Sequence, residues 1–390
     1  MKKRVLRYLL HIGVTALIIC IGFVITVILQ GAAFKYGDHP ARKNLNQEGP
    51  YVFYLNDSIA TVHYIYGDKE KGFKDQVETY STDDGITASC FFPLDSSQFQ
   101  FTINHQITIP PTYYEDNEPI LAISDIEGGY QTFRDFLIAN KVIDKHLNWT
   151  FGKGHLVLVG DFVDRGWSVT QVLWFIYKME QDAKEQGGHV HFIIGNHELK
   201  NLQGMYGYTA DRYFAAAAIM GKLHHHLYDT NSFIGRWLSS KNVAERINGY
   251  LFVHGGLHPD LGNSNITLEQ INSIYRKNYY QVYYRQPNEG AERLILSDQK
   301  GICWYRGYFN EDLSQADVDK PLEKFGAKAV VVGHTLQKEV TTLYNGRVIA
   351  IDIKHPKDYR NIWPSVNSQG LIVKNGQTYR AHADGSTEIL

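Results

Sequence analysis

Five short apolar runs in this 390-residue chain each stop at a polar cluster, and that repetition limits the possible folds more than any other feature. Ile120 to Ile123 runs into Ser124-Asp125-Ile126-Glu127-Gly128, and His155 to Val159 into Gly160-Asp161-Phe162-Val163-Asp164-Arg165-Gly166. Val190 to Ile194 precedes Gly195-Asn196-His197-Glu198, Tyr250 to Val253 precedes His254-Gly255-Gly256, and Ala329 to Val332 precedes Gly333-His334-Thr335. Strands buried on both faces read as continuous apolar runs, and open α/β sheets collect ligands just beyond strand carboxyl ends. Asp125, Asp161, Asn196, His254 and His334 are therefore expected to converge, and together they suffice for a metal centre.

Between these runs the spacing turns helical. Tyr130 to Val142 places Phe133, Phe136 and Leu137 on one face, and Ser168-Val169-Thr170-Gln171 reads as a capping box ahead of Val172, Leu173, Ile176 and Met179. Ala210 to Leu238 reads as mostly helical, and Thr267-Leu268-Glu269-Gln270 as a second capping box opening a helix from Ile271 to Tyr284. The chain ends in strands, Arg347 to Ile353 and a hairpin turning at Asn375-Gly376. Upstream, Tyr51 to Pro111 is rich in β-branched and aromatic runs broken by Asn, Asp, Gly and Ser, without a catalytic grouping.

Tyr8 to Phe34 is almost unbroken apolar sequence, longer than the roughly 20 residues a helix needs to cross a bilayer. Lys2, Lys3, Arg4 and Arg7 precede it, so the positive-inside tendency leaves the N-terminus cytoplasmic and the rest periplasmic or extracellular. A cleaved signal ending at Gly31-Ala32-Ala33 is the alternative. The expected order is an anchor over 1–34, a linker over 35–50, a β-rich accessory region over 51–117 and a catalytic domain over 118–390.

A formal net charge of -2 and the lack of a long Lys/Arg block give no reason to expect a nucleic-acid partner. Three cysteines, Cys20, Cys90 and Cys303, make no disulfide framework and no paired zinc spacing. Cys90 and Cys303 are read as lone thiols, with a bridge between them as the alternative. The triplet His224-His225-His226 cannot converge on one ion if helical, because adjacent positions point apart, so it is read as surface or packing.

The segments Gly160 to Gly166 and Gly195 to Glu198, followed by His254-Gly255-Gly256 and Gly333-His334-Thr335, closely resemble the calcineurin-like metallophosphoesterases, and within them the phosphoprotein phosphatase branch. The run from Gly195 to Gly204, Asp211-Arg212-Tyr213 and Trp304-Tyr305-Arg306-Gly307-Tyr308 is similar to the bacterial Shewanella-like protein phosphatases. This resemblance implies a layered α/β sandwich of two mixed β-sheets flanked by helices, preceded here by the β-rich segment and a transmembrane helix. It implies two divalent ions (Mn, Fe, Zn or Mg): Asp161 would bridge them, Asp125 would complete the first site, and Asn196, His254 and His334 the second. Arg165 and Arg306 would bind the phosphate oxygens beside Asn196, and His197, oriented by Asp164, would protonate the leaving group. Chemically, such a pair activates a bridging hydroxide for in-line attack on a phosphate monoester.

One departure stands out. The family has His two residues after the first Asp, whereas this chain has Glu127 in Asp125-Ile126-Glu127. Glu ligates through oxygen, so Glu127 is expected as a metal ligand in a more anionic first site, with loss of that ligand as the alternative. The expected substrate is a phosphorylated protein. Nucleotides, dinucleoside polyphosphates or other small envelope phosphoesters are the alternative, and a noncatalytic phosphate-binding sensor is a third reading.

Overall fold

The computed structural model describes residues 2–29, 34–282, 290–310 and 312–390. Gly31-Ala32-Ala33 and the far end of the helix expected to reach Tyr284 lie outside the described residues.

Two six-stranded mixed sheets stack face to face. One runs in the order His189–Phe192, His155–Leu158, Ile120–Ile123, Gln369–Lys374, Gln377–His382 and Thr387–Ile389, with its first three strands parallel. The other runs Thr341–Leu343, Val348–Ala350, Ala329–Val332, Tyr250–Val253, Ala244–Ile247 and Tyr113–Tyr114. The apolar runs are continuous because both faces of each strand are covered. Ile120, Ala122, Val157, Phe252 and Val331 fill the layer between the sheets. Their alternate neighbours Leu121, Ile123, Leu156, Leu251 and Val330 face outward, into the core shared with the helices.

The β-rich segment shares that outer core. Glu48–Asn56, Ile59–Asp68 and Gly72–Ser81 form a three-stranded sheet, and Ile86–Phe92 pairs with Ser97–Ile103. Phe101 stacks on Trp174 at 4.9 Å, and Phe99 meets Phe175 at 5.6 Å. Glu48 is buried with Arg212 at 2.6 Å and also accepts from Thr170, so the segment grips the helix Val169–Glu185 by packing and a hydrogen bond, and the helix Asp211–Ile219 by charge. The strand Gly72–Ser81 has no sequence signal of its own, because most of its side chains face solvent.

Several local expectations change in three dimensions. Ser168 precedes the helix without capping it: its hydroxyl donates to Asp358, and Gln171 reaches Phe91 and Glu48 instead. The capping box at Thr267 forms, opening Leu268–Asn278. Ala210 to Leu238 breaks into Asp211–Ile219, a 3-10 turn His224–Leu227 and Phe233–Ser240. In that turn His224 is buried among Tyr206, Phe214 and Tyr228. Cys90 and Cys303 are both buried free thiols. Residues expected as a linker are partly ordered, with Phe34–Tyr36 pairing antiparallel to Asn361–Trp363 and Leu45 buried.

At the amino ends of the strands, Asp116, His155, His191 and Glu245 form a hydrogen-bonded chain tying one sheet to the other. Chemistry gathers at the opposite rim, where the carboxyl ends of five parallel strands meet.

Candidate metal centre

Three of the five site loops leave their strands through a backbone that L-residues seldom adopt. Asp125, Glu127, Asp161, Asp164, Arg165 and His334 all have φ between 50° and 65°. Such left-handed residues cost of order 1 kcal/mol or more each, and they persist only where surrounding contacts over-determine them. Here the first two loops zip together: Asp125 N donates to Gly160 O at 3.0 Å, Glu127 N to Asp161 O at 3.0 Å and Gly128 N to Phe162 O at 2.8 Å. A Cβ on Gly160 would lie 2.6 Å from His254 Nδ1 and 2.7 Å from Gly195 Cα, so only glycine lets the three loops close.

Glu198 holds the second and third loops as one piece. Its buried carboxylate accepts from the backbone N–H of Asp161 at 2.9 Å, Phe162 at 2.8 Å, Val163 at 3.2 Å and Gly195 at 2.9 Å. Nothing in the motif Gly195-Asn196-His197-Glu198 itself signals this task.

Ligand atoms of Asp161, His254 and His334 lie within 4.8 Å of one another, all buried. Asp161 Oδ1 accepts from His197 N at 2.9 Å, and Oδ2 stands 3.2 Å from His254 Nε2. His254 Nδ1 donates to Val159 O at 2.8 Å and His334 Nε2 to Trp304 O at 3.1 Å, which leaves the other nitrogen of each ring facing the cage. The Asn196 amide faces into the cage, 3.0 Å from His254 Nε2, and turned oxygen-inward it would serve as a ligand for a cation held among these groups. Asp125 joins from the side, its Oδ2 accepting from His334 N at 3.1 Å.

Charge balance points the same way. Burial alone would raise the Asp161 carboxyl, yet His254 and His197 hold it well below the usual carboxylate range. Burial and then Asp352 push Asp125 up, while burial and then Asp161 push Asp352 up to about 7. Burial would also lower His254, but Asp161 drives it up to about 9, a proton in the place a cation would take. The donor set of carboxylate, amide and imidazole therefore fits divalent ions, and it contains no thiolate that would single out a soft metal.

Around the cage, His197 Nδ1 donates to Asp164 Oδ2 at 2.8 Å, and Asp164 Oδ1 is held by Asn201 and Thr209, each at 3.0 Å. His197 Nε2 lies 3.0 Å from Arg165 Nη2. Arg306 Nη1 donates to His334 O at 2.6 Å and Thr335 Oγ1 at 3.1 Å, placing its guanidinium on the opposite wall. Glu127, expected among the ligands, instead pairs with Arg165 and with Lys357 Nζ at 2.6 Å. All of this opens into one cleft of about 970 Å³.

Among the cleft residues that the motifs do not mark are Asp352 and Lys357. Asp352, buried, follows the strand Val348–Ala350 as Asp125 follows its own, and the apolar run Arg347 to Ile353 carried that signal. Lys357 has no comparable pattern.

Residues 118–338 match the family model described as calcineurin-like phosphoesterase. The chain is 23% identical over 336 residues to Shewanella-like protein phosphatase 2 of Arabidopsis thaliana, spanning 73% of this chain and 81% of that protein. It is 26% identical over 257 residues to Shewanella-like protein phosphatase 1 of Plasmodium berghei, spanning 60% and 67%. The crystal structure of a cold-active protein-tyrosine phosphatase from a psychrophilic Shewanella species superposes with a TM-score of 0.76 at 30% identity, covering 88% of this chain and 99% of that one.

Glu198→Ala would strand the backbone donors of Asp161, Phe162, Val163 and Gly195 away from water. The expected loss is roughly 3 kcal/mol of unfolding free energy in chemical denaturation of metal-free protein. A loss below about 1 kcal/mol would contradict its role as organiser.

Proposed function

Because this chain belongs to the calcineurin-like phosphoesterase family, we propose that its cleft hydrolyses phosphate monoesters carried on protein side chains. The chain is a phosphoric monoester hydrolase of the protein-phosphatase-like kind. The observation that carries the reading is the cage of Asp161, His254 and His334, joined by the Asn196 amide and flanked by the His197–Asp164 pair. The phosphatase names of the two relatives and of the Shewanella structure support the choice of phosphoprotein substrate.

In this reading Asp125, Asp161, Asn196, His254 and His334 hold two divalent ions, manganese among the ions that suit such donors. When bound, these ions supply Lewis acidity to the phosphoryl group and to the attacking water. Arg165 and Arg306, on opposite sides of the cage, fork onto phosphoryl oxygens and hold the ester in line. Asp164 fixes the His197 ring through Nδ1, so that Nε2 faces the leaving oxygen and gives it a proton. Glu127 positions Arg165 through its ion pair.

The helix Lys2–Leu29 is the anchor in this reading. Its most apolar 18-residue window has a mean hydropathy of 2.9, and none of that window is buried in the rest of the chain. With Lys2, Lys3, Arg4 and Arg7 at its start, the N-terminus is cytoplasmic and the cleft periplasmic or extracellular. A reporter enzyme active only outside the cytoplasm, fused after Gly37, is expected to be active, and a silent fusion would refute this orientation.

Metal-reconstituted protein is expected to cleave phosphoserine, phosphothreonine or phosphotyrosine peptides with a higher kcat/KM than nucleotides or dinucleoside polyphosphates. A preference for the small esters would overturn the substrate assignment. His197→Ala is expected to lower turnover of alkyl phosphates about 10²-fold or more, and of activated aryl phosphates much less. Equal losses on both would contradict proton donation by His197.

A further inference from the structure

The strand Phe34–Tyr36 begins only five residues after the end of the apolar helix at Leu29, yet it forms part of the catalytic cleft. Its pairing with Asn361–Trp363 sets Lys35 opposite Ile362, and both residues line the cleft that holds Asp125 and Asp161. Lys35 also borders a small recess that opens beside it against Gly128, Gly129 and Arg360.

Lys35 itself lacks a counter-charge. Its ammonium makes no hydrogen bond or ion pair with any described residue, and the charges that act on it most strongly, Lys357, Lys354, Arg360 and Arg165, are positive. Of these, Lys357 and Arg165 both pair with Glu127, Lys357 also lies in the field of Asp358, Asp352 and Asp125, and Arg360 is engaged by Asp38. Like charges brought together at a cleft wall repel one another, and an incoming anion relieves that repulsion. The scissile phosphoryl group already has Arg165 and Arg306 in the proposed reaction, so a cation farther along the wall serves a different negative charge.

We propose that Lys35, with Lys357 beside it, forms a second anion subsite for a carboxylate or phosphoryl group that the substrate carries close to its scissile phosphate. This rests on the phosphomonoesterase reading above. Such a substrate is a phosphorylated side chain flanked by an acidic residue or by a second phosphorylated one. The subsite belongs to the juxtamembrane strand: six residues, at no more than ~3.6 Å each, keep Lys35 within about 22 Å of the helix end. An anionic lipid headgroup is the other source of negative charge within that reach, and the test separates the two.

Full-length protein in a neutral detergent would be assayed on two phosphopeptides, identical except for Gln or Glu beside the phosphorylated residue, and again in nanodiscs with and without anionic lipid. The parent is expected to prefer the acidic peptide, and Lys35→Gln to cut that preference in kcat/KM about fivefold through KM, with Lys35→Arg restoring most of it. Equal loss on both peptides, or an unchanged preference, overturns the subsite. Loss of a response to anionic lipid with the peptide preference intact also overturns it, and assigns Lys35 to the bilayer. Should the parent hydrolyse neither peptide, the phosphomonoesterase reading falls. Calorimetric titration with inorganic phosphate and with phosphoglycolate, which adds one carboxylate, then decides the subsite separately: a carboxylate-dependent gain in affinity that Lys35→Gln removes upholds it, and no gain overturns it.

Discussion

Asp161 is the constraint from which the site follows. It is a buried carboxylate at a strained turn, with one oxygen held by the His197 backbone and the other facing His254. Beyond the effect of burial, Asp352 raises the proton affinity of Asp125, and Asp161 raises that of both. Burying several carboxylates together is costly unless positive charge compensates them, typically by several kcal/mol per ion. Part of that compensation comes from ring protons. A cation between these groups would compensate the carboxylates directly.

The scaffold spends much of its polar chemistry on keeping this arrangement closed. Glu198 binds two loops through four backbone donors, Gly160 allows His254 and Gly195 to approach, and Asp164 fixes His197 from its far side. Behind the loops, the β-rich segment grips the helix Val169–Glu185 through Trp174, Phe175 and the Thr170–Glu48 hydrogen bond, and the helix Asp211–Ile219 through the buried Glu48–Arg212 pair. Because its side chains lie in one apolar core with the helices, that segment bears on how firmly the helix after the Asp161 loop is held.

Much of this was legible in the sequence for a physical reason. A strand covered on both faces must be apolar throughout, so Ile120–Ile123 or Ala329–Val332 announces itself, and the first polar residue after it marks the rim. Asp125, Asp161, Asn196, His254 and His334 follow from that rule. Asp352 obeys the same rule at a shorter strand, Val348–Ala350, whose run had been read only as structure. Glu127 was harder, because its partner Lys357 lies 230 positions away and pattern near Asp125 carries no trace of it. Ser168 illustrates the same limit: a local capping signal lost to Asp358, a distant acceptor. The strand Phe34–Tyr36 is set by a partner near the other end of the chain, so local composition made it look like a linker.

The apolar helix and the cleft wall are thus joined by a short stretch of chain, but all chemistry depends on the cage. Anomalous scattering from crystals of the purified protein, recorded at the absorption edges of Mn, Fe and Zn, tests it most directly. The account expects a cation bounded by Asp161, Asn196, His254 and His334, with a second on the Asp125 side of Asp161. Crystals that show an ordered cage and no cation within coordinating distance of Asp161, after growth with each of these ions, would contradict it.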